Sequence, residues 1–166
     1  MFQVGEYIFH GSQGVCKVAN VGKLDMPGIP KDKLYYTLEP LQTPKGKVFI
    51  AVDNNKSVIR PIISKEEALK LIDHMDELEE LQISDERNRA IFYKEALKTC
   101  DCRELVKIIK TTYLRKKTRS DAGKKTRADD EKYFKLAEDT LYTELGVALG
   151  METREVKEFI MDRMSH

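Results

Sequence analysis

The chain has 166 residues, carries 29 basic against 28 acidic side chains, and contains no Trp. Its length fits one domain or two small ones, each burying a limited core. No apolar run is long enough to span a bilayer, and the N-terminal MFQVGEYIFHG lacks the basic and apolar regions of a signal peptide, so a cytoplasmic location is expected.

The first 63 residues read as β. Alternation with β-branched or aromatic residues predicts strands at Tyr7–Phe9, Val15–Val21, Leu34–Leu38 and Val48–Val52. Turn chemistry separates them at Gly11-Ser12-Gln13-Gly14, at Met26-Pro27-Gly28-Ile29-Pro30 and at Thr43-Pro44-Lys45-Gly46. Short strands at this spacing make a small, strongly bent sheet or barrel, whose edge can accept a partner's strand.

From Ser64 onward the pattern turns helical. Ser64-Lys65-Glu66-Glu67 is a capping box, and helices are expected at about 65–80, 85–98, 101–119, 129–149 and 154–164. Ser84 and Asp101 are read as N-caps of the second and third, Gly150 as the C-cap of the fourth, and Thr153 as the start of the fifth. Ala122-Gly123 breaks the third from the fourth. The fold class is therefore α+β, with a β module over 1–63 and a helical module over 64–166.

Charge is segregated. From Lys107 to Arg127 nine basic side chains face one acid, Asp121, a local excess of +8 in a chain of net charge +1. On the third helix Leu105, Ile108, Ile109 and Thr112 share a face, flanked by Val106 and Tyr113, while Arg103, Lys107, Lys110 and Lys117 share another. Lys116, Arg119, Lys124 and Lys125 extend the basic face into the following loop. A polyanion is its natural partner, and phosphate contact would position a duplex without reading its sequence.

Catalysis is not expected. No nucleophile elbow, P-loop or zinc-protease motif is present. Cys100 and Cys102 form a C-x-C pair, but Cys16 and the histidines His10, His74 and His166 add no ligand spacing, so neither metal nor cofactor is expected. An odd cysteine count fits reduced thiols. His10-Gly11-Ser12 reads as turn chemistry, His74 as a surface or partly buried residue, and Asp129-Asp130-Glu131 as solvated acids at a helix start. Tyr35, Tyr36 and Phe49 read as core aromatics in strand context.

Several ordered segments carry a resemblance. They are Phe2-Gln3-Val4-Gly5-Glu6-Tyr7-Ile8 with Gly11–Val15, Phe49-Ile50-Ala51-Val52-Asp53-Asn54-Asn55 with Ile59–Ser64, Tyr93–Lys98 with Asp101–Lys107, and Glu144–Gly150. Together they resemble the CarD/CdnL family of bacterial transcription regulators. The resemblance implies a Tudor-like β module that docks on the β subunit of RNA polymerase along a sheet edge. It also implies a helical domain that contacts duplex promoter DNA at the upstream edge of the bubble and stabilises the open complex. By position, polymerase contacts fall on Leu24, Met26, Phe49 and Ala51, where some members carry arginines at the first and last. DNA contacts fall on Arg89, Lys107, Lys110, Arg115, Lys116, Lys124, Lys125 and Lys132. Several members place a Trp at the start of the second helix, where this chain has Arg89, with Phe92 three residues on; an arginine there reads groove shape. The expected protein is a monomer without enzymatic activity. The alternative is a nucleic-acid-binding adaptor, or a helical scaffold, without polymerase contact.

Overall fold

The computed structural model describes residues 1–54 and 56–165; Asn55, which ends the Phe49–Asn55 segment, and His166 lie outside the described residues. The chain divides into two compact units, Met1–Ile62 and Ile63–His166.

In the first unit the alternating segments form β1 (Tyr7–His10), β2 (Gly14–Gly22), β3 (Tyr35–Pro40), β4 (Val48–Ala51) and β5 (Ile59–Pro61). They pair antiparallel in the order β4-β3-β2-β1-β5 and curl into a half-barrel, the bent sheet that the turn spacing predicts. Ile8, Cys16, Val18, Tyr36 and Leu38 are its core. The Tyr36 hydroxyl accepts a hydrogen bond from the Phe2 amide at 3.0 Å, which ties the start of the chain to that core. A register shift between Val18 and Asn20 bends β2 against β3. Sequence periodicity did not reveal β5. It is three residues long and contains Pro61, a demoting signal, yet it pairs with β1 at the sheet's edge, where a missing N–H is tolerated. There the Arg60 guanidinium lies 4.3 Å from the centre of the Phe9 ring, its cross-strand partner.

The second unit contains α1 (Lys65–Asp73), α2 (Arg89–Lys98), α3 (Cys102–Asp121), α4 (Ala128–Leu149) and α5 (Thr153–Met164). The capping box is formed: Ser64 Oγ accepts from the Glu67 amide at 3.0 Å and Glu67 accepts from the Ser64 amide at 3.2 Å. The first helix is shorter than 65–80, ending at His74 with a 3-10 turn over Met75–Glu77. Asp76, Glu77, Glu79 and Glu80 would oppose the dipole at the end of a longer helix. The chain instead runs on without regular structure, and Leu78, Leu81 and Ile83 pack against the core. The second helix also starts later than expected. Asp85, not Ser84, caps a 3-10 turn over Glu86–Asn88, and Asn88 precedes α2. Asp101 caps α3 as predicted, accepting from the Arg103 amide at 2.9 Å, and Gly150 closes α4 at φ 72°, a left-handed position suited to glycine. Thr153 is the first residue of α5, with Glu152 as its cap. No helix is long and apolar enough, among the described residues, to cross a membrane.

Helix α4 is central, packing on α1, α2, α3 and α5. Tyr133, Ala137, Leu141 and Leu145 form its buried stripe. Two acids lie on the same stripe. Glu144, fully buried, accepts from the Ile63 amide at 3.0 Å and from the Cys102 thiol at 3.2 Å. Asp130, read from sequence as a solvated acid, is 1% exposed. Its Oδ1 accepts from Arg89 Nε at 3.1 Å and from the Tyr93 hydroxyl at 2.8 Å. Burial pushes the Tyr93 pKa up, and the hydrogen bond to Asp130 adds to the rise, so the phenol stays a donor. At Gly146 an added Cβ would meet the Met151 carbonyl oxygen at 2.9 Å, so the turn into α5 requires glycine by close approach. Arg163 on α5 pairs with both carboxylate oxygens of Asp73 on α1, at 2.6 and 3.0 Å.

Two stability predictions arise here. Asp130→Ala removes the buried acceptor of Arg89 and of the Tyr93 hydroxyl, leaving Arg89 only the more distant Asp129, and should destabilise the helical unit by about 3 kcal/mol, read as a lower urea midpoint by helical circular dichroism. In the β unit, His10 is 5% exposed, and its Nδ1 faces the Ser12 amide at 3.4 Å and the Ser12 hydroxyl at 3.2 Å. Burial lowers its pKa below the ordinary 6.5. The unfolded chain therefore binds the proton first as pH falls. The stabilisation is present above pH 6.5 and is lost as pH drops from there through the folded-state value. The urea midpoint of the β unit should fall across that window, and His10→Asn should remove this part of the pH dependence.

Candidate nucleic-acid interface and an exposed sheet edge

Strand β4 lies at one end of the sheet order and is hydrogen-bonded to β3 alone among the described strands. Its period of two sets Val48 and Ile50 against the core and sends Phe49 and Ala51 to the opposite face. Phe49, expected as a core aromatic from its strand context, is 38% exposed, whereas Tyr36 is buried at 3%. Leu24, half-buried, and Met26, exposed, lie in the connection between β2 and β3. At the end of that connection Leu34 is 43% exposed, and its carbonyl accepts from the Val52 amide at 2.9 Å, just past β4. Leu34 was read only as the start of a strand. Its place beside the edge depends on how β3 returns against β4, which periodicity does not reveal.

The basic surface of the helical unit is smaller than its composition implies. Arg89 is committed to Asp130, with Asp129 3.8 Å away, and its side chain is only 12% exposed. It is a lock between α2 and α4 rather than a side chain extended into solvent. Arg115 forms a two-pronged pair with Glu86, both contacts at 2.6 Å, and this holds the Glu86 carboxyl below the usual carboxylate range. Lys110 Nζ donates to the Leu78 carbonyl at 2.7 Å, at the end of the 3-10 turn, where a cation is favoured. Lys107 pairs with Glu104 at 3.2 Å. The Arg89, Arg115 and Lys110 contacts fasten the irregular stretch 78–89 to α4 and α3, while the Lys107 pair lies within α3.

The remaining charges gather where α3 ends and α4 begins. Lys116, Lys117 and Lys124 are exposed and form no ion pair among the described residues. Lys116 also borders a cavity of about 220 Å³ with Thr112, Thr126 and Phe134. Lys125 is exposed, while its carbonyl accepts from Arg119 Nε at 2.6 Å and so closes the turn around Gly123. Lys132 on α4 is exposed, its ammonium 5.4 Å from the centre of the Tyr133 ring. The structure thus brings Lys116, Lys117, Lys124 and Lys125 to one helical junction, ties Arg89, Lys110 and Arg115 into the body of the unit and pairs Lys107 along its own helix.

Two features escaped the sequence reading. Asp130 was grouped with its acidic neighbours, although 130, 133, 137, 141 and 144 follow the spacing of a buried stripe. Tyr113 was placed beside the apolar face of α3, yet it is 54% exposed and Leu114 is 41% exposed. The apolar spacing of Leu105 and Ile108 does not continue through them.

The three cysteines are buried, and burial pushes the Cys16 thiol up to about 11. No group of three or more His, Cys, Asp or Glu side chains among the described residues is placed to hold a metal ion.

No curated protein matches the chain. Residues 2–63 match the family model of the CarD-like/TRCF RID domain, a span that covers the strand unit and stops at the cap of α1. That family is a non-enzymatic RNA polymerase-interacting domain, and the function it supports is transcription-associated. The strand order and the matched span agree: residues 2–63 carry a domain similar to the CarD-like/TRCF RID domain.

Proposed function

We propose that this protein is a bacterial transcription regulator that docks on the β subunit of RNA polymerase through residues 1–63 and contacts promoter DNA through residues 64–166. The observation that carries the proposal is the RID match over 2–63, on a sheet whose β4 edge presents Phe49 and Ala51. A partner strand added to β4 would take up its outward backbone groups, while Phe49 supplies an apolar anchor. The opposite edge, β5, contains Pro61, which lacks an N–H to offer. Leu24 and Met26 would border the same contact.

On the helical side, Lys116, Lys117, Lys124 and Lys125 are the side chains free to neutralise phosphates, with Lys132 nearby in sequence. Contact of this kind carries no base specificity and needs none, because polymerase has already selected the promoter. Binding at the upstream edge of the bubble would stabilise the open complex as long as the protein favours the melted state over the closed one. Docking raises the effective concentration of the basic surface at DNA, so neither contact has to be tight by itself. A monomer working in the cytoplasm alongside polymerase is adequate for this mechanism.

Three measurements test the proposal with the full-length chain. The isolated β subunit should retain it, and Phe49→Asp should weaken retention about tenfold or more, as loss of an aromatic anchor does. A chain that binds DNA but is not retained is an adaptor without polymerase contact. Duplex binding should weaken steeply with salt, with a log–log slope corresponding to about 3–6 phosphates. The triple change Lys116→Glu, Lys117→Glu, Lys124→Glu should lower that slope by about three. The wild-type chain should lengthen open-complex lifetime at a promoter, and both variants should fail to do so.

A further inference from the structure

We propose that the groove between α3 and the segment from Leu78 to Ile83 is a docking site for a basic amphipathic helix of a partner protein. The lysines at the α3–α4 junction do not line this groove, and the inference does not depend on their contacting DNA.

From Met75 to Glu86 the chain carries six acids, Asp76, Glu77, Glu79, Glu80, Asp85 and Glu86, and no lysine or arginine. Leu78, Leu81 and Ile83, spaced among them, pack against the core and leave Glu79 and Glu80 exposed. Across from this segment Tyr113 and Leu114 on α3 are 54% and 41% exposed. The two walls border an open groove of about 860 Å³. The acidic wall is fastened at three points. The Leu81 amide donates to Thr111 Oγ1 at 2.9 Å, Lys110 Nζ donates to the Leu78 carbonyl at 2.7 Å, and Arg115 holds Glu86 at 2.6 Å. The groove is therefore formed before a partner arrives, and little ordering is left for binding to impose.

The charges of the groove decide its occupant. Four charged side chains line it, Glu79, Glu80, Lys110 and Arg115. Arg115 is neutralised by Glu86, and Lys110 is half-buried with its ammonium on a carbonyl. Glu79 and Glu80 form no ion pair among the described residues. The groove thus offers a newcomer apolar surface rimmed by free carboxylates. That rim repels phosphate and acidic peptides, and a neutral apolar ligand leaves it unused. A polypeptide segment with aliphatic side chains flanked by lysine or arginine satisfies both demands. Its apolar side chains cover Tyr113 and Leu114, and its cations reach Glu79 and Glu80. The α3 backbone is satisfied within the helix, so it has nothing to offer a partner's strand. A helix needs no such pairing and presents its apolar row at i, i+3 and i+4. In such a contact the covered aromatic ring carries the affinity, while the ion pairs at the rim set orientation and rate.

The test uses the full-length chain and a synthetic amphipathic helix of leucine and lysine, labelled for anisotropy and carrying a photo-crosslinking side chain. The wild-type chain should bind it and crosslink at Leu78–Ile83 or at Tyr113 and Leu114. The same helix with glutamate in place of lysine, or serine in place of leucine, should bind about tenfold more weakly or worse. Tyr113→Ser should weaken binding about tenfold, as loss of an aromatic anchor does. Glu79→Lys with Glu80→Lys should do the same, because it sets like charges against the probe. Glu158→Lys with Asp162→Lys alters exposed acids of α5 by the same net charge and should leave affinity within about twofold. Every changed side chain is exposed, so the urea midpoints should match that of the wild type. Equal loss in the α5 variant, crosslinks elsewhere, equal binding of the glutamate helix, or indifference to Tyr113→Ser would each overturn the site. Duplex affinity that falls with Tyr113→Ser as far as helix affinity does would give the groove to nucleic acid instead. Self-association in sedimentation that Glu79→Lys with Glu80→Lys abolishes would give it to a second copy of the chain. A chain that binds the helix in the expected pattern but no DNA keeps the groove and loses the proposed function. A chain that binds DNA and not the helix does the reverse.

Discussion

Two carboxylates on α4 organise the helical unit. Apolar burial along Tyr133, Ala137, Leu141 and Leu145 supplies most of the driving force, but a stripe of that kind accepts neighbours at more than one register. Glu144 and Asp130 narrow the choice. Glu144 takes the Ile63 amide and the Cys102 thiol, and so fixes where the chain enters α1 and where α3 begins. Asp130, four turns earlier on α4, takes Arg89 and Tyr93 and so fixes α2. A buried carboxylate is costly without donors, so each helix that supplies one is held wherever the donor reaches.

This arrangement determines how much positive charge is left for a partner. The +8 window is a property of the sequence, but folding draws cations inward to satisfy acids and carbonyls. Arg115 is paired with Glu86, Lys110 with the Leu78 carbonyl and Lys107 with Glu104, while Arg89, outside the window, neutralises Asp130. The stretch from Leu78 to Arg89 has little regular structure and relies on these contacts for its position. What remains is a compact group at the α3–α4 junction, less charged than the sequence implies and more local.

The difference between sequence and structure follows a physical line. Patterns that depend on near neighbours were legible: the four longer strands, the Ser64 capping box, the Asp101 cap and the Gly150 closure all arise within a few residues. Features that depend on distant partners were not. Strand β5 exists because β1 is beside it, with Arg60 over Phe9. Helix α1 stops at His74 because the acidic stretch after it disfavours a helix end and Leu78, Leu81 and Ile83 find the core in another conformation. Arg89 was legible as a basic residue at a helix start, but its engagement with an acid 41 residues away was not. The candidate edge was legible as a strand, whereas the exposure of Phe49 follows from strand order, which periodicity does not encode.

Each unit leaves a large aromatic side chain in water, and the backbone around it sets what can bind there. Phe49 lies on a strand paired on one side, where amides and carbonyls face outward and only another polypeptide strand has the matching spacing. Tyr113 lies on a helix whose backbone is internally satisfied, so recognition there falls to side chains, among them Lys110 and Arg115 on α3 and Glu79 and Glu80 across the groove. A partner strand at Tyr113 would find no free backbone to pair with, and β4 itself, Val48, Phe49, Ile50 and Ala51, is uncharged. The two surfaces thus differ in what they offer: unpaired strand backbone beside Phe49, and side chains alone around Tyr113.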